Sequence, residues 1–295
     1  MNLLNDYLRK RFGQKVYKIA LNGGFTCPNR DGTIGTGGCI FCSEGGSGEF
    51  AQPAGTGITA QIEQGKELLS KKIKDGKYIA YFQAYTGTYA DTDRLRSLYM
   101  EAINHPDIVV LSVATRPDCL PDDVLDLLEE CNRIKPVWVE LGLQTIHPET
   151  AEYIRRGYPL SVYDEALRKL KSRHIEVITH LILGLPGESS SDMLSSVKYV
   201  CDAGTDGIKL QLLHILKNTD LEKEYQSGSI RVLTEDEYIR LLKECLEITP
   251  ENVVIHRLTG DGDKRILVAP MWSADKKHVW NRIHREVFHK NVKSL

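Results

Sequence analysis

Cys27, Cys39 and Cys42 are the residues whose type and spacing most directly imply chemistry. They lie in Phe25-Thr-Cys-Pro-Asn-Arg-Asp-Gly32 and Gly37-Gly-Cys-Ile-Phe-Cys42, a C-x11-C-x2-C spacing in a glycine-rich stretch that can fold closely around a metal. Zinc sites usually pair one C-x2-C unit with a second pair or with nearby histidines. Here the next cysteine is Cys119 and the nearest histidine His105, so zinc would recruit its fourth ligand from a distance. An ordinary iron–sulfur cluster takes four thiolates. Three thiolates on a four-iron cluster leave one iron open to another ligand. Packing as small hydrophobes suits Cys131, Cys201 and Cys245, each in a helical pattern, better than three thiols among glycines.

The elements that must position these thiols follow from periodicity. Lys15 to Leu21 alternates as a short strand, and residues 22–57 follow with many glycines and little periodicity. A loop this long inside a compact domain is usually functional. Strands are then expected at Tyr78–Ala84, Ile108–Ala114, Val137–Leu143, Ile175–Leu183 and Gly207–Leu213. Helices are expected at Ile58–Lys74, Asp91–Ile103, Pro121–Arg133, Pro148–Lys171 and Ser191–Ala203. About six β/α units of this kind give an open doubly wound sheet or a barrel, with function at the C-terminal ends of the strands. Polar residues gather there: Gln83 and Tyr85, then Thr115, Arg116, Asp118 and Cys119, then Glu140 and Gln144, then His180 before Gly184, then Lys209, Gln211 and His214. Beyond Ile215 the pattern changes. Thr234 and Glu237 form a capping box for a helix to Leu246, Val253–Leu258 is a candidate strand, and His278–Phe288 looks helical.

The whole chain has 295 residues, 41% apolar and 26% charged, with a formal net charge of -2. This is ample for one α/β domain and gives no global positive field to announce nucleic acid. No signal-peptide pattern or spanning run is present, and seven cysteines without an export signal point to a reducing cytoplasm and no membrane association.

The cysteine loop after the first strand of a β/α series resembles the radical S-adenosyl-L-methionine (radical SAM) superfamily. Its long first spacing, with Glu140-Leu-Gly-Leu-Gln144-Thr and Arg155-Arg156-Gly157, is similar to the radical domain of the elongator catalytic subunit, which modifies the tRNA wobble uridine. Gly24-Phe-Thr-Cys-Pro-Asn-Arg-Asp-Gly32, Tyr81-Phe-Gln83, Thr115-Arg-Pro-Asp-Cys119 and His180-Leu-Ile-Leu-Gly-Leu-Pro-Gly-Glu188 resemble a short bacterial branch implicated in processing carboxymethylaminomethyl-uridine.

The resemblance implies a partial (β/α)6 barrel over 15–215, with its cluster loop at 22–57 and extensions at 1–14 and 216–295. It implies a four-iron, four-sulfur (4Fe-4S) cluster on Cys27, Cys39 and Cys42. S-adenosyl-L-methionine would sit on the open iron and yield a 5′-deoxyadenosyl radical that takes a hydrogen atom from substrate. Its expected substrate is tRNA, whose carboxymethylaminomethyl wobble uridine would become aminomethyl, and its expected partner an electron donor such as a flavodoxin or ferredoxin.

Roles then follow from chemical type. Gln83 and Tyr85 suit the methionine amino group, Glu140 the ribose hydroxyls, and backbone near Gly184 the adenine. Thr115, Gln144, Arg156 and His180 complete the expected cofactor site. Arg116 or Lys209 would pair with a carboxylate, and Cys119 would be a thiol hydrogen donor or radical partner. Two departures matter. The chain leaves no length for the elongator subunit's acetyltransferase domain, so acetyl transfer is not expected. Tyr158 stands where relatives carry histidine after the Arg-Gly pair.

Simpler roles exist for each residue. Arg116-Pro-Asp can shape a turn, Asp118 and Asp122 can cap a helix, Gly184 and Gly187 can allow tight turns, and His180 or Cys119 can simply be packed. For nucleic acid, the residues themselves offer two basic segments: Arg9, Lys10, Arg11, Lys15 and Lys18, and Lys276, Lys277, Arg282, Arg285, Lys290 and Lys293. They would join into one phosphate-contacting face or stay solvated helix faces. Two other functions fit the same motifs: a radical SAM enzyme for a small metabolite, and a non-catalytic zinc- or cluster-stabilised RNA-binding module.

Overall fold

A parallel sheet organises the chain. The computed structural model describes residues 1–46, 48, 55–70, 73, 76–260 and 262–288. In chain order the elements are β1 (Asn2–Leu3), α1 (Leu4–Phe12), β2 (Val16–Leu21), α2 (Ile58–Leu69), β3 (Lys77–Phe82), α3 (Thr92–Asn104), β4 (Ile108–Thr115), α4 (Asp122–Ile134), β5 (Val137–Gln144), α5 (Pro148–Tyr153) and α6 (Leu160–Ser172). They continue with β6 (Glu176–Leu183), α7 (Ser190–Asp202), β7 (Gly207–Leu212), β8 (Ile215–Leu216), α8 (Asp220–Gln226), α9 (Glu235–Ile248), β9 (Val254–Arg257), β10 (Leu267–Ala269) and α10 (Lys276–Ile283).

Strands β2 to β7 lie side by side in sequence order, as successive β/α units place them. All six expected strands are present within a residue or two, and the sheet curls into a partial barrel. It also continues. β9 pairs in parallel with β7, and β1 pairs with β9, giving an eight-stranded sheet ordered β1-β9-β7-β6-β5-β4-β3-β2. β8 and β10 form a separate antiparallel pair beyond the end of β7.

Local chemistry explains most boundaries. Asp91 caps α3 by accepting from the Arg94 amide, and Thr234 with Glu237 forms both bonds of the expected box on α9. The expected helix over 148–171 is instead two. Arg155 adopts φ 58°, Gly157 φ 83°, and Pro159 precedes α6, so the chain turns between them. The expected helix over 278–288 is α only as far as Ile283, and His284–Phe288 is a π-helical segment. The expected helix beyond Leu69 reaches residues 71, 72 and 74, outside the described residues.

The core is a belt of strand and helix side chains between the sheet and its outer helices. A smaller cluster places Leu8 of α1 against Val16, Ile79, Val110, Trp138 and Ile178, all near the starts of β2 to β6. Helix α1 therefore stoppers the N-terminal end of the barrel and leaves the C-terminal end for the cysteine loop. Among the described residues no helix is long and apolar enough to cross a membrane.

Candidate active site

The cysteine loop is held by its own backbone and by three side chains. The Arg30 and Asp31 amides donate to the Cys27 carbonyl (2.8 and 3.2 Å), and the Cys42 amide donates to the Cys39 carbonyl at 3.0 Å. Arg30 reaches across the loop to the carbonyls of Cys42 (3.0 Å) and Ser43 (2.6 Å). Asn29 Nδ2 lies 3.6 Å from the Cys39 sulfur and donates to the Arg155 carbonyl at 2.7 Å. Tyr85, at φ 56°, packs its ring over Gly46 and donates to the Glu44 carbonyl at 2.5 Å. A Cβ at Gly46 would stand 2.4 Å from that ring.

These thiols line one end of a cavity of about 160 Å³ at the C-terminal mouth of the barrel. It is continuous, through shared residues including Gln83, Gln144, His180 and Arg257, with a second compartment of about 180 Å³ toward β7, β9, Gly262 and Asp263. Of the expected site residues, Cys27, Cys39, Cys42, Gln83, Tyr85, Thr115, Arg116, Glu140, Gln144, Arg156, His180 and Lys209 all line the first compartment.

Two do not. Cys119 is buried beside Asp118 and lines a different hollow with Thr88, Leu120 and Val162. Burial pushes its thiol up to about 12, so it stays protonated. Gly184, at φ 91°, lines a third hollow against Leu233 and serves a tight turn.

Sheet register places the charged floor. Successive partners across β5, β6, β7 and β9 are Gly142, His180, Lys209 and Arg257, one rung on which the side chains of His180, Lys209 and Arg257 share a face. Glu140, with no exposed surface, faces the same interior. Its Oε1 accepts from Lys18 (2.7 Å) and Ser112 (2.8 Å), and its Oε2 contacts Lys209 and His180 (2.8 Å). Four partners occupy the four acceptor sites of one carboxylate, leaving none for a ribose hydroxyl.

Burial alone would raise the Glu140 carboxyl, but Lys18, Lys209 and His180 outweigh it and hold it well below the usual range. Burial and neighbouring Lys209 push His180 down to about 4, against the pull of Glu140, so the imidazole is neutral.

The other cations are similarly committed. Arg116 grips Asp118 with two donors (2.9 and 2.7 Å), and Arg156 donates to the carbonyls of Leu143, Thr145 and Tyr158 (3.2, 2.5 and 3.0 Å). Tyr158 stacks against both guanidiniums, 5.1 and 4.7 Å from its ring centre, and its hydroxyl donates to the Gly142 carbonyl. At this departure from the family pattern the tyrosine thus spaces two arginines. Gln144, at φ 67°, lines both compartments and keeps a buried Oε1 with no partner among the described residues.

Sequence reasoning missed Arg257 and the interior place of Lys18. Lysine in a buried strand was a signal available at Lys18, but it sat in a run of basic residues. Arg257 lay beyond the expected end of the barrel.

The donor set fits a multinuclear cluster better than one ion. Among the described residues no group of three His, Cys, Asp or Glu side chains is arranged to hold a single metal ion. Tetrahedral zinc draws its thiolates to about 2.3 Å from one centre, whereas a cluster spreads them over separate irons. Burial raises Cys39 to about 11, and the Cys42 and Cys27 sulfurs add to the rise against Arg116 and Asn29. As thiolates the three sulfurs repel one another, and a cationic metal group would relieve that repulsion.

Comparison with known proteins agrees. The radical SAM superfamily model matches residues 27–200, and the radical SAM C-terminal domain matches 205–288. Bacillus subtilis YtqA is 46% identical over 96% of this chain and 88% of its own length. A tRNA uridine(34) acetyltransferase of Methanocaldococcus jannaschii is 27% identical over 54% of this chain and 30% of its own length. The solved structure of Methanocaldococcus infernus Elp3 superposes with a TM-score of 0.68 at 18% identity, covering 92% of this chain and 63% of that one.

Proposed function

The chain belongs to the radical SAM superfamily, and on that premise we propose that it converts the carboxymethylaminomethyl group of a tRNA wobble uridine to aminomethyl. Superfamily membership makes it an enzyme, with a 4Fe-4S cluster and SAM as its cofactors. The wobble-uridine substrate is our reading, supported by the tRNA uridine(34) acetyltransferase among its relatives.

The observation that carries it is the charge of the cavity. Arg30, Arg116, Arg156, Lys209 and Arg257 line it, five cationic side chains against the single carboxylate of Glu140. Such a field suits a substrate arm ending in a carboxylate and a polyanionic backbone beyond it.

When bound, the cluster and SAM supply a radical that removes a hydrogen atom from the arm's CH2 and an acceptor for one further electron. Nitrogen and carboxylate both stabilise the resulting carbon centre. Loss of that electron and of the N–H proton, the latter to water, leaves an imine on the arm, which takes up water and releases the aminomethyl nucleoside with a two-carbon aldehyde acid. This chain's residues supply position. Cys27, Cys39 and Cys42 would hold the cluster, while Gln83, Tyr85, Thr115 and Gln144 beside them would orient SAM. Glu140 fixes Lys209 and His180 in the floor. A flavodoxin or ferredoxin would deliver electrons from outside the cavity.

Nucleosides from the tRNA of cells with and without this gene test the substrate. Accumulation of carboxymethylaminomethyl-uridine in the deletion is expected. Identical wobble nucleosides would remove the tRNA reading in favour of a small metabolite.

A further inference from the structure

Resting on the radical SAM reading but on no assumption about the substrate, we propose that Asn29 tunes the reduction potential of the cluster. Its side-chain amide donates an N–H to the Cys39 thiolate and makes the cluster easier to reduce. Asn29 acts through Cys39 and is therefore a positioning residue.

The surroundings of the amide fix its orientation. Asn29 is only 4% exposed. The side-chain atom 2.7 Å from the Arg155 carbonyl oxygen must be the nitrogen, since only a donor can sit there. That nitrogen lies 3.6 Å from the Cys39 sulfur, so its two hydrogens serve the carbonyl and the sulfur. A protonated Cys39 can itself donate to the same carbonyl across 3.8 Å. As a cluster ligand it has no proton to give, and the amide is then the donor between two acceptors. Oδ1 lies against Gly157, at φ 83°, where a Cβ would stand 3.0 Å away.

The backbone holds the same pair together. The Gly38 amide, one residue before Cys39, donates to the Asn29 carbonyl at 2.7 Å. The Ile40 amide, one residue after, donates to the Ile154 carbonyl at 3.4 Å. Asn29 thus ties the arm of the loop that carries Cys27 to the arm that carries Cys39, and to the turn between α5 and α6.

Reduction adds one negative charge to the cluster and its thiolates. A hydrogen bond to sulfur stabilises that added charge, so it raises the potential. Burial strengthens the effect, because little water competes for the sulfur. An electron donor outside the cavity then needs less driving force to load the cluster.

The test is a redox titration read by electron paramagnetic resonance. It uses the anaerobically reconstituted full chain as wild type, Asn29→Leu and Asn29→Asp. Asn29→Leu keeps the size of the side chain and removes its donors. Its midpoint should fall by the equivalent of about tenfold in the reduction equilibrium, about 59 mV for one electron. Asn29→Asp, which sets a carboxylate beside the sulfur, should fall further. A role confined to holding the loop predicts the opposite sign, because a loosened loop admits water, which favours the more negative reduced cluster. An unchanged or raised midpoint in Asn29→Leu overturns the proposal.

A second arm needs no variant. Wild type labelled with ¹⁵N only in asparagine side-chain amides should show a ¹⁵N hyperfine coupling on the reduced cluster, carried through the N–H···S bond. This arm decides the matter even where the variants hold no cluster. A cluster without the coupling removes the role of Asn29 and leaves the radical SAM reading intact. A wild type that takes up no four-iron cluster overturns both.

Discussion

Glu140 is the residue on which the floor of the cavity depends. Its carboxylate is the counter-charge for Lys18 and Lys209, and Lys209 is only 3% exposed. Removing one member of a buried ion pair strands the other, at a cost of about 3–5 kcal/mol. Glu140→Gln should therefore lower unfolding free energy by roughly that amount in urea titrations, and Glu140→Gln with Lys209→Met should recover part of it. The sign with pH is also defined. Burial drives the Lys209 ammonium well below its usual range, and the Glu140 carboxylate is the charge that pulls it back up. Removing Glu140 deepens that depression and so widens the excess of protons bound by the unfolded chain, so the stability of the variant should rise more steeply with pH than that of wild type. A variant as stable as wild type at all pH values would contradict the network. Glu140 and Lys209 were legible as charged residues in otherwise apolar strands, yet their contact was not, because it depends on β5 and β7 flanking β6 and curling inward.

The cysteine loop is the element that most needs its local chemistry. Gly46 has φ 56° and no room for a side chain under the Tyr85 ring. Gly46→Ala adds strain of about 1–2 kcal/mol and displaces the ring. After anaerobic reconstitution it should carry less iron per chain than wild type, with thermal unfolding little changed, while Cys39→Ala should carry none as an intact cluster. Full iron in Gly46→Ala would show that Tyr85 does not brace the loop. The loop was recognisable from glycine and cysteine content alone, and the six strands from short apolar runs of regular spacing. The break between α5 and α6 was only partly legible: Gly157 and Pro159 are breakers visible in the sequence, whereas the left-handed conformation of Arg155 is not announced by its residue type. β9 was visible as a candidate strand, but its pairing with β7, and hence the place of Arg257, is a matter of long-range register.

At the scale of the whole molecule, the two basic segments do not share a face. Arg9 and Lys10 lie exposed on α1, which closes the N-terminal end of the barrel, opposite the cavity. Arg11 is bound to Glu176, and Lys18 points inside to Glu140. Helix α10 packs beside the start of α9, where the crossover toward β9 begins at the cavity end. Arg282 is held there by Glu235 (3.3 Å), Asp236 and Glu286 (3.1 Å), so it braces α10. Lys290 and Lys293 lie outside the described residues. Charge reversal at the exposed Lys276 and Lys277 should weaken tRNA binding and flatten its salt dependence, whereas reversal at Arg9 and Lys10 should leave both unchanged. Equal effects at the two ends would mean that tRNA does not approach the cavity mouth. The central claim is hydrogen abstraction from the glycine-like arm of the wobble uridine, and isotope transfer reads it directly. Reconstituted protein, SAM and a one-electron reductant are incubated with tRNA whose arm carries deuterium at the carboxymethyl CH2. The account predicts deuterium in the 5′-deoxyadenosine and aminomethyl-uridine in the tRNA; 5′-deoxyadenosine without deuterium, formed while the arm stays intact, would contradict it.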